Sequence, residues 1–167
     1  MQSIDNSNTI YNDQNIIKIC SDDLKILKKK ATESKLKRAR ICLHKSLDEK
    51  VQEMIIVFCK ESYIRPHKHV NKSESFHLIE GELQVVFFDN EGKIINKINL
   101  SSYSKEKYFI YRLSSDCWHF VIPLSEYVII HETTQGPFRA EEALFPSWAP
   151  GYDENDKISL FIKKCLE

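Results

Sequence analysis

The chain lacks any net charge and any long apolar segment. Its 24 Lys and Arg residues balance 24 Asp and Glu residues, and no nucleic-acid-binding motif accompanies them, so we expect no DNA or RNA partner. No stretch approaches the roughly 20 apolar residues of a membrane span. The polar segment Met1–Gln14 lacks the apolar run of a signal peptide. We therefore predict no membrane insertion and a cytoplasmic location.

The spacing of the five cysteines argues against a C-x-x-C site. They stand at positions 20, 42, 59, 117 and 165, with no C-x-x-C spacing. An odd number of cysteines without an export signal is typical of reduced thiols in a cytoplasmic protein.

The length of 167 residues suits one domain with a single core. With 42% hydrophobic and 29% charged residues, wholesale disorder is excluded. Most of the basic excess lies between Lys25 and Arg40, with eight basic residues and the single acid Glu33. This cluster is either a solvated helix face or an anion-binding edge for a sugar phosphate or nucleotide diphosphate.

The local patterns predict one helix followed by many short strands. Ser21 is a candidate cap for a helix in which Leu24, Leu27 and Ala31 share a face, and residues 1–14 are expected to be loosely packed. Predicted strands cover Val51–Lys60, Glu74–Glu80, Glu82–Phe88, Lys93–Leu100, Lys107–Leu113, Cys117–Ile122 and Glu126–Glu132. Such strands indicate an antiparallel sandwich or barrel.

The C-terminal part of the chain has a different composition. Gly136-Pro137 ends the last predicted strand, and Phe138–Tyr152 is aromatic and rich in proline without periodicity. We expect this tail to pack across a barrel mouth or a subunit interface, because aromatic side chains bury large areas. Ile158–Leu166 has the spacing of a short closing helix.

The residues with the most chemical information are His67, His69 and Glu74, with Gly81 after them. On an extended strand, side chains repeat with period two, so His67 and His69 project from one face. Two neutral imidazoles and a carboxylate suit a first-row divalent metal. The alternative is a pair of surface histidines followed by a solvated turn.

This spacing resembles the first motif of the cupin superfamily, H-x-H-(x)4-E-(x)6-G, at all four defining positions. The second cupin motif, P-x-G-x-x-H, corresponds to residues 114–119, where Ser114 and Asp116 replace Pro and Gly. The resemblance implies an all-β fold, a single cupin (double-stranded β-helix or jelly-roll) barrel with a short N-terminal helical segment and an irregular aromatic C-terminal tail. It also implies His67, His69, Glu74 and His119 as metal ligands.

Four further segments, read from about residue 36 to about residue 152, are similar to the WbuC-type cupin-fold metalloproteins. They are Arg40-Ile41-Cys42-Leu43-His44, Ser62-Tyr63-Ile64-Arg65-Pro66-His67-Lys68-His69, Gly136-Pro137-Phe138 and Trp148-Ala149-Pro150. The resemblance implies an association with bacterial surface-polysaccharide (O-antigen or capsule) biosynthesis, and a homodimer. We predict a polar arm with a basic helix over residues 1–35 and a single cupin domain over residues 36–167.

Strand parity separates candidate pocket residues from outward ones. Tyr63 and Arg65 share the parity of His67, so both are expected beside the metal. Phe76 and Leu78 share a face with Glu74, which puts His77 on the opposite one. His77 is therefore predicted to be structural or at an interface.

Two histidines and two arginines complete the candidates. His44 and His131 are each either core residues or pocket residues, and the resemblance makes His44 a candidate catalytic acid or base. Tyr63, expected beside the metal from strand parity, is the other candidate to move a proton. Arg40 and Arg65 are candidates to bind a substrate carboxylate or phosphate, or to form surface ion pairs.

A site of three histidines and one glutamate suits Fe, Mn, Ni, Co and Zn alike. Three functions fit it: a metal-dependent isomerase, epimerase or lyase acting on a sugar or nucleotide-linked sugar, an Fe(II)-dependent oxygenase, and a non-catalytic metal-dependent sugar-binding or regulatory module.

Overall fold

The computed structural model describes residues 8–103, 107–114 and 116–167. The start of the predicted polar arm (residues 1–7) and Ser115 of the second motif lie outside the described residues. The elements are β1 (Thr9–Tyr11), α1 (Ser21–Glu33), β2 (Arg38–Cys42), β3 (Val51–Cys59), β4 (Lys68–His69), β5 (Glu74–Glu80), β6 (Glu82–Phe88), β7 (Ile94–Ser101), β8 (Ile110–Leu113), β9 (Trp118–Pro123), β10 (Tyr127–Gln135), a 3-10 turn (Ala140–Glu142), β11 (Ala143–Leu144) and α2 (Asn155–Leu166).

Most strands belong to two sheets that enclose the main core. One sheet has the order β1-β2-β3-β10-β5-β8, and the other has the order β7-β6-β9. Their facing sides pack around buried residues of both sheets, among them Phe76, Leu78, Val85 and Val121. Except for the parallel β1–β2 pair, the strand pairs of both sheets are antiparallel, so the antiparallel barrel predicted from the strand pattern is confirmed.

Helix α1 covers the outer face of the larger sheet. Its fully buried residues Leu27 and Ala31 pack against Ala39, Ile41 and further residues of β2, β3 and β10. The predicted apolar face is therefore confirmed, but the cap is Cys20 rather than Ser21. The Asp23 carboxylate accepts a hydrogen bond of 2.8 Å from the Cys20 backbone N–H, which satisfies one of the donors that a helix start leaves unpaired.

Helix α2 covers the outer face of the smaller sheet. Ile158, Phe161 and Ile162 pack on a cluster that includes Phe88 and Phe120. Because β6 and β9 are covered on both faces, their sequences are apolar almost throughout, as expected for strands buried on two sides. No helix in the described part of the chain is long and apolar enough to cross a membrane.

Three further expectations are tested by the backbone. Residues 9–11 do not stay loose but form β1, which pairs with residues 40–42 of β2, because an edge strand gains backbone hydrogen bonds despite its polar composition. The motif residue Gly81 makes the turn from β5 to β6 with φ +89°. All five cysteines are free thiols.

Candidate metal centre and its cavity

Two histidines of the centre face each other across neighbouring segments. The backbone N–H groups of His67 and His119 each donate to the other residue's carbonyl oxygen, at 3.0 and 2.9 Å. This pairing brings the two imidazole ring centroids to 4.3 Å. His69 follows on the short strand β4, which β11 pairs from the C-terminal tail. One nitrogen of each of the three rings lies within 4.8 Å of the others, so the group could hold a metal ion.

Backbone carbonyls fix how two of these rings are presented. His67 Nδ1 lies 2.9 Å from the Arg65 carbonyl oxygen, and His119 Nδ1 lies 3.0 Å from that of Cys117. A carbonyl can only accept, so each Nδ1 carries the proton and donates. The Nε2 atoms are then left with free electron pairs, which is the usual arrangement of a metal-ligating histidine.

Glu74 lies beside this histidine group and is almost fully buried. Its Oε1 accepts a hydrogen bond of 2.9 Å from the Tyr111 hydroxyl and lies 3.2 Å from His119 Nε2. Despite this short distance, His119 Nε2 is buried and has no hydrogen-bond partner among the residues that the structure describes. Two atoms with electron pairs in contact repel each other unless a cation binds both, so the donor set fits a divalent metal ion.

The surroundings of His67 and His69 favour the neutral form that a metal ligand requires. Burial, together with the neighbouring His119 and His69, holds the pKa of His67 well below its ordinary value. Burial likewise lowers the pKa of His69, partly offset by the Glu74 carboxylate. Neutral imidazoles at physiological pH are available as ligands without first losing a proton.

A cavity of about 70 Å³ opens next to the centre on the His69 side, which is room for several water molecules or a small ligand. Arg40 and Glu132 line it. They project there because Ala39 and Ile41 of β2, and Ile129 of β10, belong to the outer cluster under α1, and side chains alternate along a strand. Arg40, a candidate ligand-binding residue from the sequence, therefore lies in the wall of this cavity.

Glu132 is the residue that sequence reasoning missed. Burial and the charge of Glu74 raise its pKa to about 8, against the opposing effect of Arg40 and Arg38. A carboxyl group with a pKa near neutrality is suited to exchanging a proton. The available signal was its position, because Glu132 shares strand parity with the buried Val128 and Ile130 and was the last residue of a predicted strand.

Tyr63 does not line this cavity, so the structure does not bring it beside the histidine group as strand parity predicted. Residues 60–67 precede β4 and do not form a strand, which breaks the period-two relation to His67. Tyr63 packs instead on Phe120 outside the smaller sheet, and its hydroxyl donates to the Pro150 carbonyl oxygen at 2.9 Å. Burial raises its pKa, so the phenol stays protonated.

Arg65 is likewise not a cavity residue. Its Nη2 donates to the carbonyl oxygens of Pro146 and Ala149 at 3.0 and 3.2 Å, and its guanidinium stacks on Phe145. Arg65 therefore binds the C-terminal tail and is not positioned to bind a ligand in the cavity. Phe145 also lies near the His67 ring, so this part of the tail packs beside the candidate centre, whereas Trp148 and Tyr152 pack on the outer cluster of the smaller sheet.

The remaining histidines lie outside the centre. His77 is exposed, as strand parity predicted. His131 Nε2 is 2.8 Å from the Glu53 carboxylate on the outer side of β10. His44 is buried, with Nδ1 3.0 Å from Glu53 backbone atoms and its ring against Tyr11. Because His44 does not line the cavity, the acid–base position predicted for it is not supported.

Comparisons with known proteins agree with this architecture. A family described as "Domain of unknown function (DUF6016)" matches residues 19–100, and no curated protein sequence matches the chain. Among solved structures, a structural-genomics target from Shewanella oneidensis aligns with a TM-score of 0.51 at 6% identity, over 71% of this chain and 72% of its own.

Two further solved structures are informative about the fold. An oxalate oxidase in complex with the substrate analogue glycolate aligns with a TM-score of 0.51 at 14% identity, over 68% of this chain and 57% of its own. CapF, solved with the inhibitor 3-isopropenyl-tropolone, aligns with a TM-score of 0.50 at 16% identity, over 59% of this chain and 29% of its own. The chain has the cupin jelly-roll fold that the resemblance implied.

Proposed function

We propose that this cupin-fold chain is a metal-dependent protein whose metal is held by His67, His69, Glu74 and His119. The observation that carries the proposal is the 3.2 Å approach of Glu74 Oε1 to a buried His119 Nε2 that has no hydrogen bond. The donor set of three imidazoles and one carboxylate leaves coordination positions for water or a substrate.

A bound divalent metal would polarise a carbonyl or hydroxyl group of a ligand. The chain's own residues supply the other parts. Tyr111 orients the Glu74 carboxylate through its hydroxyl, Arg40 offers a cation, and Glu132 offers a carboxyl group that can give or take a proton. All the catalytic candidates thus come from β2, β5, β8 and β10 of one sheet, together with the histidines opposite.

We further propose a sugar or nucleotide-linked sugar as the substrate class, within bacterial surface-polysaccharide assembly. Support comes from the WbuC-type resemblance of four segments and from the small ligands of the structural neighbours, glycolate and a tropolone, which both present adjacent oxygen atoms. This chain aligns with 57% of the oxalate oxidase and 29% of CapF, so neither activity is carried over to it.

Metal content and thermal stability test the proposal together. We expect purified protein reconstituted with Mn(II), Fe(II), Co(II), Ni(II) or Zn(II) to retain about one ion, and to melt several degrees higher than the chelator-treated protein, since a ligand bound only to the folded state stabilises it. His119→Ala should lose both effects, whereas His77→Ala, an exposed histidine, serves as the matched control. Equal retention by wild type and His119→Ala would contradict the proposed ligand set.

A second measurement separates catalysis on sugars from oxygen chemistry. A panel of nucleotide sugars is screened by thermal shift and followed by NMR for conversion, and oxygen uptake is recorded with the Fe(II) form. Conversion of a sugar without oxygen uptake is the expected result; substrate-dependent oxygen uptake would indicate an oxygenase instead. Homodimer formation and cytoplasmic location stay predictions.

A further inference from the structure

Most of the polar side chains that line the cavity already have partners. The Gln52 amide donates to the carbonyl oxygens of Ser46, Leu47 and Glu49. Lys72 pairs with the Glu142 carboxylate, and Arg139 pairs with that of Asp48. These groups shape the wall and are not available to a ligand.

Arg40 and Glu132 differ from the other lining residues. Among the described residues, the Arg40 guanidinium makes two weak hydrogen bonds, Nε to Thr9 Oγ1 at 3.3 Å and Nη1 to the Met54 sulfur at 3.9 Å. Within the described part of the chain, burial and neighbouring charges act on the Glu132 carboxyl, with no hydrogen bond contributing. Both side chains are half-buried and line the same cavity. Because they have few hydrogen bonds of their own among the described residues, this pair is open to a polar ligand.

Three features restrict that ligand. Arg40 recognises a planar anion by a bidentate hydrogen bond. Glu132 lies in the same cavity and accepts a hydrogen bond from a hydroxyl group, and His69 sets the metal centre at one side of it. The volume of about 70 Å³ limits the part that enters to a few atoms.

We propose that the cavity binds a hydroxy-carboxylate, with the carboxylate on Arg40 and a neighbouring hydroxyl on Glu132, next to the metal centre. The ligand is then an acidic sugar or a smaller hydroxy acid, and this inference rests on the proposed metal centre. A neutral polyol would leave Arg40 unpaired, a simple carboxylate would give the Glu132 carboxyl group no hydroxyl partner, and a phosphate dianion would bring two negative charges toward the Glu74 carboxylate.

Three-carbon probes isolate each contact on the Mn(II)-loaded protein. Glycerate offers both groups, propionate lacks the hydroxyls, and glycerol lacks the carboxylate. Calorimetric titration should give a Kd for glycerate at least tenfold lower than for propionate or glycerol. Arg40→Gln should abolish the preference for glycerate over glycerol, and Glu132→Met should abolish the preference over propionate.

Conservative variants and one control complete the design. Arg40→Lys and Glu132→Gln should each retain part of the preference, and they replace the first variants if those do not fold. Glu53→Gln, outside the barrel, should change nothing. Equal binding of the three probes, or preferences that the Arg40 and Glu132 variants do not change, would overturn the inference. If the wild type holds one metal ion in that case, the proposed metal centre is not contradicted. A wild type that holds no metal would overturn both.

Discussion

One hydrogen bond, from Tyr111 to Glu74, orients a carboxylate of the proposed metal centre. The Tyr111 hydroxyl is the donor to Glu74 Oε1, and the same oxygen faces His119 Nε2. A carboxylate held in this way is oriented before a metal arrives. Outer residues of this kind typically change metal affinity by about 10- to 100-fold when they are removed.

Tyr111→Phe should therefore weaken metal binding about tenfold. The aromatic ring and its packing on Phe76 and Phe87 remain, so the fold should persist. Competition with a fluorescent chelator measures the Kd, and Tyr103→Phe, which alters an exposed tyrosine, is the matched control. An unchanged Kd in Tyr111→Phe would contradict the orienting role of the Tyr111 hydroxyl.

The raised pKa of Glu132 predicts that the stability of the metal-free protein depends on pH. Its pKa is raised from 4.5 to about 8 by burial and by Glu74, against the Arg40 and Arg38 charges. The folded state therefore holds the proton more tightly than the unfolded state, and the stability this provides is lost as pH rises from 4.5 toward 8.

Glu132→Gln removes that loss, because the amide does not ionise. At pH 5 the variant and the wild type should have similar free energies of unfolding, and at pH 9 the variant should be more stable, by on the order of 4 kcal/mol. Urea denaturation in the presence of a chelator at both pH values measures the difference. A gain that is equal at both pH values would contradict the raised pKa.

At the scale of elements, the turn between β5 and β6 holds the strand that carries Glu74 against β10. Gly81 adopts φ +89°, and a Cβ there would lie 2.3 Å from the Tyr127 carbonyl oxygen. Both the left-handed backbone and the close approach exclude a larger residue. The motif glycine therefore has a packing reason in addition to its turn.

Gly81→Ala should lower the free energy of unfolding by about 2 kcal/mol or more, since a left-handed alanine alone costs roughly 1–2 kcal/mol. Gly151→Ala is the matched control: its Cβ would meet the end of the Asp153 side chain at 3.0 Å, which can move aside. Chemical denaturation of both variants measures the effect. Equal stability of the two variants would show that the turn tolerates a side chain.

The strands also show which parts of the fold could be predicted from the sequence. The strands Glu74–Glu80 and Glu82–Phe88 were predicted with the bounds that the structure has, because Gly81 separates an alternating segment from a largely apolar one. The parity of His77 was also correct, since it lies on a regular strand. These residues obey a local period, which a single sequence reveals.

The errors came from segments without such a period. Tyr63 and Arg65 precede Pro66 in irregular chain, where side-chain direction depends on the tail that packs over them. His44 follows the end of β2, and its surroundings are set by contacts with Glu53 and Tyr11. Glu132 was missed because its burial follows from the closure of the barrel, which no local pattern contains.

At the scale of the whole molecule, the fold assembles the centre from distant parts of the chain. The first motif supplies His67, His69 and Glu74, while His119 comes from β9 of the other sheet. The backbone pairing of His67 with His119 joins these parts. The tail then closes the centre through β11 and Phe145. The proposed metal site therefore forms only when the two sheets pack together and bring His119 to the residues of the first motif.

A crystal structure of the Mn(II)-loaded protein, with anomalous data collected for the metal, tests the central claim most directly. We predict one anomalous peak bound by the Nε2 atoms of His67, His69 and His119 and by a carboxylate oxygen of Glu74, at about 2.0–2.3 Å, with a water molecule facing the cavity. An anomalous peak at another location would contradict the account. So would the absence of a peak, with these four side chains hydrogen-bonded to other groups.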